Sequence, residues 1–165
     1  MISLPCPAET LLPHRGPMLF LGRLDFASED NARSTLEVKK DQLFSLPDGT
    51  LDTLAYVELL AQLTAACNSY VNLKNGRESG LMGYLVGLKN FFLLKSAAPG
   101  ASLNLMVKKE TQFENLSYVR GEISSDGAIL ARGSLKLWEA GISNKSGDAK
   151  LRTCYRPPRQ LLRPR

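Results

Sequence analysis

The sequence predicts an α+β fold in which one long central helix is wrapped by a curled antiparallel sheet. From residue 52 to about residue 73, apolar side chains recur at three- and four-residue steps, which is the period of a helix. Apolar side chains occupy most of the circumference of this helix, and a helix of that kind is buried. Two strand-like segments precede the helix and four follow it, which is enough sheet to bury it.

The segments before the helix are short and interrupted by turns. Residues 11–17 contain prolines that prevent a long regular element. Residues 18–26 predict a first strand and residues 33–38 a second. The Leu-Pro-Asp-Gly sequence at 46–49 predicts a turn, because proline fixes one backbone angle and glycine accepts a positive φ.

The central helix has recognisable start and stop signals. Asp52 or Thr53 can cap its first turn, and the Lys-Asn-Gly sequence at 74–76 is typical of a helix end. Turn-forming residues at 98–100 and 125–128 then separate strand-like segments, the second of them as a hairpin. These segments are 81–94, 102–113, 117–124 and 129–138.

Length and composition predict one domain followed by a basic tail. A chain of 165 residues, 44% hydrophobic and 22% charged, is ordinary for a soluble globular protein. The tail, residues 140–165, holds seven of the 21 Lys and Arg residues and one of the 16 acidic residues, so residues 1–139 carry a net charge of −1 although the whole chain carries +5. A near-neutral domain does not favour nucleic-acid binding. A tail of this composition is typical of a solvated segment, and the alternative is that it holds an acidic partner or surface.

The predicted location is the cytoplasm. No apolar run reaches the roughly 18 residues that a membrane helix needs, and residues 1–7 lack the pattern of a signal peptide. Cys6, Cys67 and Cys154 lie far apart, so they predict neither a disulfide framework nor a zinc site. No glycine-rich nucleotide loop stands between a strand and a helix, and we expect no metal and no cofactor.

Three motifs resemble the 3-hydroxyacyl-acyl-carrier-protein dehydratases of the FabZ type, which have the hot-dog fold. The Leu-Pro-His-Arg-Gly-Pro sequence at 12–17 is similar to that family's opening motif. The Glu-Leu-Leu-Ala-Gln sequence at 58–62 matches its Glu-x-x-Ala-Gln on the central helix. Residues 87–91, followed by Pro99-Gly100, resemble the strand that ends in a Pro-Gly turn. The resemblance spans about residues 9–138 and implies a hot-dog domain over residues 1–139.

The chain departs from that family at the catalytic base. The family has its base in a His-Phe-x-Gly stretch, and the position fourteen residues before the helix glutamate is Phe44 here. The chain's only histidine, His14, belongs to the opening motif, where packing or hydrogen bonding is the expected duty. The chain is most similar to the ApeP-like subunit of the dehydratase pair in aryl polyene biosynthesis, whose shorter partner type keeps the histidine.

This resemblance implies a site shared between two subunits. Dehydration needs a base for the proton beside the carbonyl and an acid for the departing hydroxyl. Residue by residue, the family pattern makes Glu58 the general acid and places the Thr53 N–H where an amide holds the thioester carbonyl. Gln62 and His14 join Thr53 as expected substrate-binding residues. The implied substrate is an acyl thioester on an acyl carrier protein, and the implied assembly is a homodimer or a heterodimer with a His-containing hot-dog subunit.

Two other functions remain open from the sequence. One is a hot-dog thioesterase in which Glu58 acts on a water molecule. The other is a non-catalytic subunit that binds an acyl chain or positions a partner, and the absent base histidine favours it. Gln62 either orients Glu58 or satisfies a buried backbone group.

Overall fold

A computed structural model describes residues 2–77 and 82–140. Its single long helix, α1 (Ala55–Lys74), packs against a six-stranded antiparallel sheet. The predicted α+β fold, with a central helix against an antiparallel sheet, is therefore confirmed.

The main sheet has the strand order β3-β4-β6-β7-β8-β5, and β1 pairs with β2 separately. Short 3-10 helices at Ala8–Thr10 and Gly16–Met18 complete the N-terminal part. In chain order the strands are β1 (Cys6–Pro7), β2 (Arg23–Leu24), β3 (Phe26–Ala27), β4 (Asn31–Glu37), β5 (Met82–Leu93), β6 (Ser102–Phe113), β7 (Leu116–Ser125) and β8 (Ala128–Ala140).

The strand predicted for residues 18–26 is wrong in its extent. Met18 ends a 3-10 helix, and in this region only the two-residue segments β2 and β3 pair as strands. The reason is that the backbone N–H groups of Phe20 and Leu21 both donate to the side-chain oxygen of Gln62, at 3.0 Å each, instead of joining a ladder. A helix side chain thus replaces strand pairing here.

The helix begins at Ala55, three residues after the predicted start. Neither Asp52 nor Thr53 is its N-cap, because Leu54 occupies that position without a side-chain cap. Asp52 instead accepts a hydrogen bond from the Leu54 N–H at 2.8 Å and forms a turn leading into the helix. The predicted stop is confirmed, with Gly76 at a φ of 69°.

The four strands predicted after the helix are confirmed, with each described end shifted by at most two residues. Residue 81, the predicted start of the first, lies outside the described residues. β8 runs to Ala140, one residue beyond the predicted domain boundary. The rest of the predicted tail, 141–165, also lies outside the described residues.

The hydrophobic core lies between α1 and the inward face of the sheet. The largest completely buried side chains come from both layers and from the N-terminal segment. Those of α1 are Tyr56, Leu59, Leu60 and Leu63, and those that meet them include Leu21, Leu24, Leu103, Leu105, Ile123 and Leu135.

Two glycines let the layers approach one another. Gly121 of β7 lies directly opposite Gly133 of β8. A Cβ on Gly121 would come within 2.6 Å of the Leu60 side chain, and one on Gly133 would overlap the backbone of Phe91. The absence of a side chain at these two positions therefore leaves room for Leu60 of α1 and for Phe91 of the edge strand β5.

The edge strand β5 exposes apolar side chains on both of its faces. Leu85 and Leu88 pair with the inward-facing Leu137 and Leu135 of β8, yet they remain 43% and 47% exposed. Outward-facing Phe92 is 54% exposed. The outer edge of β5 has no partner strand within the described residues. An apolar, open edge of this length is a surface suited to another strand.

Candidate functional site

A groove of about 220 Å³ runs along the side of α1 that the sheet leaves open. Its helix wall consists of residues at three- and four-residue steps, including Glu58, Ala61, Ala65 and Asn68. The first residues of β5 and the last of β8 form the opposite wall. Among the described residues, four other hollows are larger, with volumes of about 520, 480, 380 and 260 Å³, and the first of them shares Asn68, Asn72 and Glu139 with the groove. The groove along α1 is the one that collects Glu58, Gln62 and His14, three of the four site residues predicted from the sequence.

Gln62 connects Glu58 to the N-terminal segment. Its side-chain amide donates to Glu58 Oε1 at 2.8 Å and to the Met18 carbonyl at 2.7 Å. Its carbonyl oxygen accepts the Phe20 and Leu21 amides. Gln62 is only 1% exposed, so these bonds are protected from water. Both roles that the sequence left open for Gln62 fit this geometry, since one side chain contacts Glu58 and also satisfies buried backbone groups.

Glu58 faces the groove from the first turn of α1. Its side chain is 33% exposed, which leaves the carboxylate accessible to a ligand. The bond from Gln62 fixes Oε1, while Oε2 accepts no hydrogen bond from the described residues. Gln62 therefore fixes one carboxylate oxygen of Glu58, and the other oxygen, Oε2, is available to contact a ligand.

His14 lies beside Glu58, although 44 residues separate them in sequence. His14 Nε2 is 3.7 Å from Glu58 Oε1, longer than a hydrogen bond, and the imidazole is 31% exposed. Its Nδ1 is buried without a hydrogen-bond partner among the described residues. The opening motif and the helix motif, both found in the sequence, thus meet at one end of the groove.

Thr53 and Phe44 do not line this groove. Phe44 stacks on Phe20 with ring centroids 5.1 Å apart, and it has a φ of 68°, uncommon for a bulky residue. The Thr53 N–H donates no hydrogen bond within the described part of the chain. Neither the position of the missing base nor the predicted carbonyl-binding amide therefore lines the groove that holds Glu58.

Sequence reasoning missed two polar groups at the other end of the groove. Asn68 of α1 donates a hydrogen bond to Glu139 Oε1, and Glu139 is only 8% exposed. Burial raises the pKa of Glu139, partly offset by nearby Lys109. A signal was present, because strict alternation after the inward-facing Leu135 and Leu137 places Glu139 on the inward face.

The described residues contain no group of three His, Cys, Asp or Glu side chains placed to hold a metal ion. Within the same ranges, no helix combines the length and apolar character required to cross a bilayer.

Solved structures with the same architecture include a dehydratase and thioesterases. The dehydratase heterocomplex ApeI:P from Xenorhabdus doucetiae matches with a TM-score of 0.76 and 23% identity, covering 83% of this chain and 93% of that chain. Zebrafish thioesterase superfamily member 2 matches with a TM-score of 0.60 and 18% identity over 78% of this chain and 88% of that one. A hypothetical thioesterase from Streptococcus pneumoniae TIGR4, solved with coenzyme A, gives a TM-score of 0.57 and 13% identity over 72% and 84%. The helix, the sheet and these matches define a protein of the hot-dog fold, as the sequence predicted.

A match to a family profile identifies the family as well as the fold. The ApeP-like profile, described as ApeP dehydratase, matches residues 6–146. The chain belongs to the ApeP dehydratase family, and the resemblance drawn from the sequence motifs is confirmed. No curated protein is significantly similar to it in sequence.

Proposed function

We propose that this chain is one subunit of a dehydratase for 3-hydroxyacyl thioesters carried by an acyl carrier protein. Glu58 acts as the general acid, and a second hot-dog subunit supplies the base histidine. One observation carries the proposal. Glu58 lies in a groove with its carboxylate held by Gln62, whereas Phe44, at the family's base position, does not line that groove. Because the base position holds Phe44 and not a histidine, the base has to come from a second subunit.

The reaction needs two proton transfers and no redox cofactor. The partner's histidine takes the proton from the carbon beside the thioester carbonyl. Protonated Glu58 gives its proton to the hydroxyl on the next carbon, which leaves as water while the double bond forms. The free N–H of Thr53 can donate a hydrogen bond to the thioester carbonyl near the positive end of α1. Thr53 does not line the Glu58 groove in one chain, and we expect its N–H to reach the substrate in the assembled dimer.

The edge strand β5 supports assembly with a second subunit. Its open backbone and its exposed Leu85, Leu88 and Phe92 would be covered if another β5 paired with it across a two-fold axis. A homodimer of this chain would have no histidine at either base position, since His14 is the only one. We therefore favour a heterodimer with a His-containing hot-dog subunit.

Activity of the assembled pair tests the role of Glu58. The chain is co-purified with a His-bearing hot-dog subunit and given a 3-hydroxyacyl pantetheine thioester, and formation of the enoyl thioester is followed. Glu58→Gln keeps the shape and the bond from Gln62 but removes the transferable proton, so turnover falls by about 10²–10⁴. Glu122→Gln is the matched control, because Glu122 lies on the outward face of β7 in the hollow opposite α1. Full activity of Glu58→Gln would make the chain a scaffold.

A thioesterase is the second candidate, and the 3.7 Å approach of His14 to Glu58 favours it. A histidine and a carboxylate in one groove can activate a water molecule without a partner. The purified chain alone, offered crotonyl and 3-hydroxyacyl thioesters, is tested for release of free thiol. We expect none, and we expect His14→Ala in the pair to lower turnover far less than Glu58→Gln. Thiol release that His14→Ala abolishes would establish the thioesterase instead.

The described cysteines fit the reducing cytoplasm that we propose as the location. Cys6 and Cys67 are buried free thiols. Burial raises the pKa of Cys67 to about 11, and its thiol donates to the Ser28 carbonyl. Both are inert core side chains, which suits a compartment where disulfides are rare.

A further inference from the structure

His14 is held at the wall of the groove by its neighbours in the opening motif. Arg15 donates through Nη1 to the carbonyl oxygens of Leu12 and His14, at 2.7 and 2.6 Å. Leu12 is only 3% exposed and anchors the segment in the core. Pro13 lines the same groove as His14, and its ring restricts the backbone just before the histidine. The fold of this one chain therefore places the imidazole beside Glu58.

The two ring nitrogens of His14 have different surroundings. Nδ1 is buried and has no hydrogen-bond partner within residues 2–77 and 82–140. Nε2 lies on the side of the carboxylate, 3.7 Å from Glu58 Oε1, and the side chain is 31% exposed. A neutral imidazole carries its proton on one nitrogen and a lone pair on the other. The surroundings of the ring therefore decide which nitrogen is the donor.

The proton of the neutral ring is better placed on Nε2. A proton on Nδ1 would bury an N–H group without an acceptor, which is costly, and would leave the Nε2 lone pair beside a carboxylate oxygen. A proton on Nε2 places an N–H group beside that oxygen and leaves only a lone pair unpaired. Buried N–H groups without a partner are rarer in proteins than acceptors without one. Because Nδ1 is already buried in one chain, a partner subunit packed on the outside cannot supply the missing acceptor.

The Nε2–H group is a free donor next to the proposed acid. The distance of 3.7 Å from Nε2 to Glu58 Oε1 is too long for a hydrogen bond, and Oε1 already accepts from Gln62. A single oxygen atom about 2.8 Å from both His14 and Glu58 would accept from Nε2–H and contact the carboxyl group. The proposed reaction brings such an atom, because the hydroxyl that leaves has to lie against Glu58.

We propose that His14 is held as the Nε2–H tautomer and donates a hydrogen bond to the leaving hydroxyl of the substrate. This inference rests on the proposed function, which places that hydroxyl at Glu58. Glu58 gives its proton to the hydroxyl oxygen, the carbon–oxygen bond breaks and water departs, while His14 keeps its proton throughout. The second donor stabilises the negative charge that develops on the oxygen as the bond breaks. In this tautomer Nε2 has no lone pair, so His14 does not act as a base at that atom.

Nitrogen NMR tests the tautomer directly, because His14 is the only histidine of the chain. The chain carries isotope-labelled histidine, is purified without a histidine tag and is combined with the unlabelled His-bearing subunit. At pH 8, where an imidazole is ordinarily neutral, we expect the signal of a protonated Nε2 and of an unprotonated Nδ1. A proton on Nδ1 would overturn the proposal.

The same labelled complex tests the hydrogen bond to the substrate. In the pair that contains Glu58→Gln, turnover is expected to be slow enough for a 3-hydroxyacyl pantetheine thioester to be observed while bound. Its binding should move the Nε2–H proton resonance of His14 downfield, as a new hydrogen bond does. The acyl thioester of the same length without the hydroxyl should leave the resonance where it was. Equal shifts with the two ligands, or no shift with either, would overturn the proposal.

Two substitutions of His14 separate hydrogen bonding from packing. His14→Gln can place an amide N–H near the position of Nε2, whereas the shorter side chain of His14→Asn reaches only the position of Nδ1. We expect His14→Asn to lower the kcat of the pair about 3- to 10-fold with little change in KM, and His14→Gln to recover most of that loss. Glu122→Gln is the control, and the Tm of each variant shows whether it is folded. Where a variant is too unstable to assay, the ligand-dependent NMR shift decides.

The outcomes separate this inference from the proposed function. If the pair forms the enoyl thioester but His14→Asn and His14→Gln have equal kcat values, the donor role of His14 fails and the proposed function stands. If the pair forms no enoyl thioester, the proposed function fails. In that case the NMR comparison of the two ligands still decides whether Nε2–H binds a hydroxyl in the groove.

Discussion

Gln62 donates a hydrogen bond to Glu58 Oε1 at 2.8 Å while its own carbonyl oxygen accepts the backbone amides of Phe20 and Leu21. The proposed acid is thereby connected to the chain segment that follows the opening motif. Gln62 lies one helical turn after Glu58 and makes both contacts, because its side-chain amide contains N–H donors and an acceptor oxygen. Stability and the position of Glu58 are therefore coupled through one side chain.

Gln62→Leu should destabilise the domain strongly. The substitution keeps the volume but leaves the amides of Phe20 and Leu21 buried without an acceptor, at about 1–3 kcal/mol for each unsatisfied group. Urea unfolding measures the change in the free energy of unfolding. Gln112→Leu on the exposed part of β6 is the control and should change it by about 0.5 kcal/mol or less. A value for Gln62→Leu as small as the control's would show that the amides find other partners.

Much of the fold was predictable because α1 and β5 to β8 are long and strongly patterned. Periodicity identifies such elements, and errors of one to three residues at their ends reflect local turns such as Asp52 with Leu54. The N-terminal segment was not predictable in the same way. Residues 18–26 have the composition of a strand, but the amides of Phe20 and Leu21 donate to Gln62, a tertiary contact that local pattern does not reveal.

In the candidate site, only the residues that belong to sequence motifs were predicted correctly as neighbours. Glu58, Gln62 and His14 were found because two motifs contain them, and the fold brings them into one groove. Thr53 was assigned to the same site by resemblance, but it does not line the groove within one chain. Glu139 was missed because a single glutamate in a strand is ordinarily solvated, and only its register with Leu135 and Leu137 shows that it faces inward.

Gly133→Ala should cost more stability than Gly121→Ala. At Gly121 the new methyl group meets the far end of the Leu60 side chain, which can move, whereas at Gly133 it meets the backbone of Phe91, which cannot. We expect a loss of about 1–3 kcal/mol for Gly121→Ala and a larger one for Gly133→Ala, by analogy with overpacked cores. Gly87→Ala is the matched control, since its nearest neighbour would be 3.9 Å away. Thermal unfolding of the three variants gives the order, and equal losses at Gly121 and Gly133 would contradict it.

Removing residues 141–165 should leave the domain folded. Among the described residues, every buried apolar side chain lies between Cys6 and Leu137, and the ladders of β8 with β5 and β7 are complete by Ala140. The truncated chain should have nearly the Tm of the full chain. A fall of more than a few degrees would show that the basic tail docks on the domain.

Glu139 should make the stability of the domain depend on pH in a direction opposite to that of a salt-bridged carboxylate. Burial raises its pKa in the folded protein above the ordinary value of 4.5. As the pH rises above that value, the unfolded chain loses the Glu139 proton while the folded chain keeps it, so unfolding becomes easier. This loss ends once the pH passes the folded pKa.

Glu139→Gln removes the titrating group and keeps an oxygen that accepts the Asn68 hydrogen bond. The variant and the parent should therefore have similar Tm values at pH 4, and the variant should become the more stable of the two as the pH rises toward neutrality. Glu122→Gln, measured over the same pH range, controls for the loss of one negative charge. A difference in Tm between Glu139→Gln and the parent that stays constant with pH, or that favours the parent increasingly at high pH, would mean that Lys109 outweighs burial and that Glu139 is ionised in the folded protein at all these pH values.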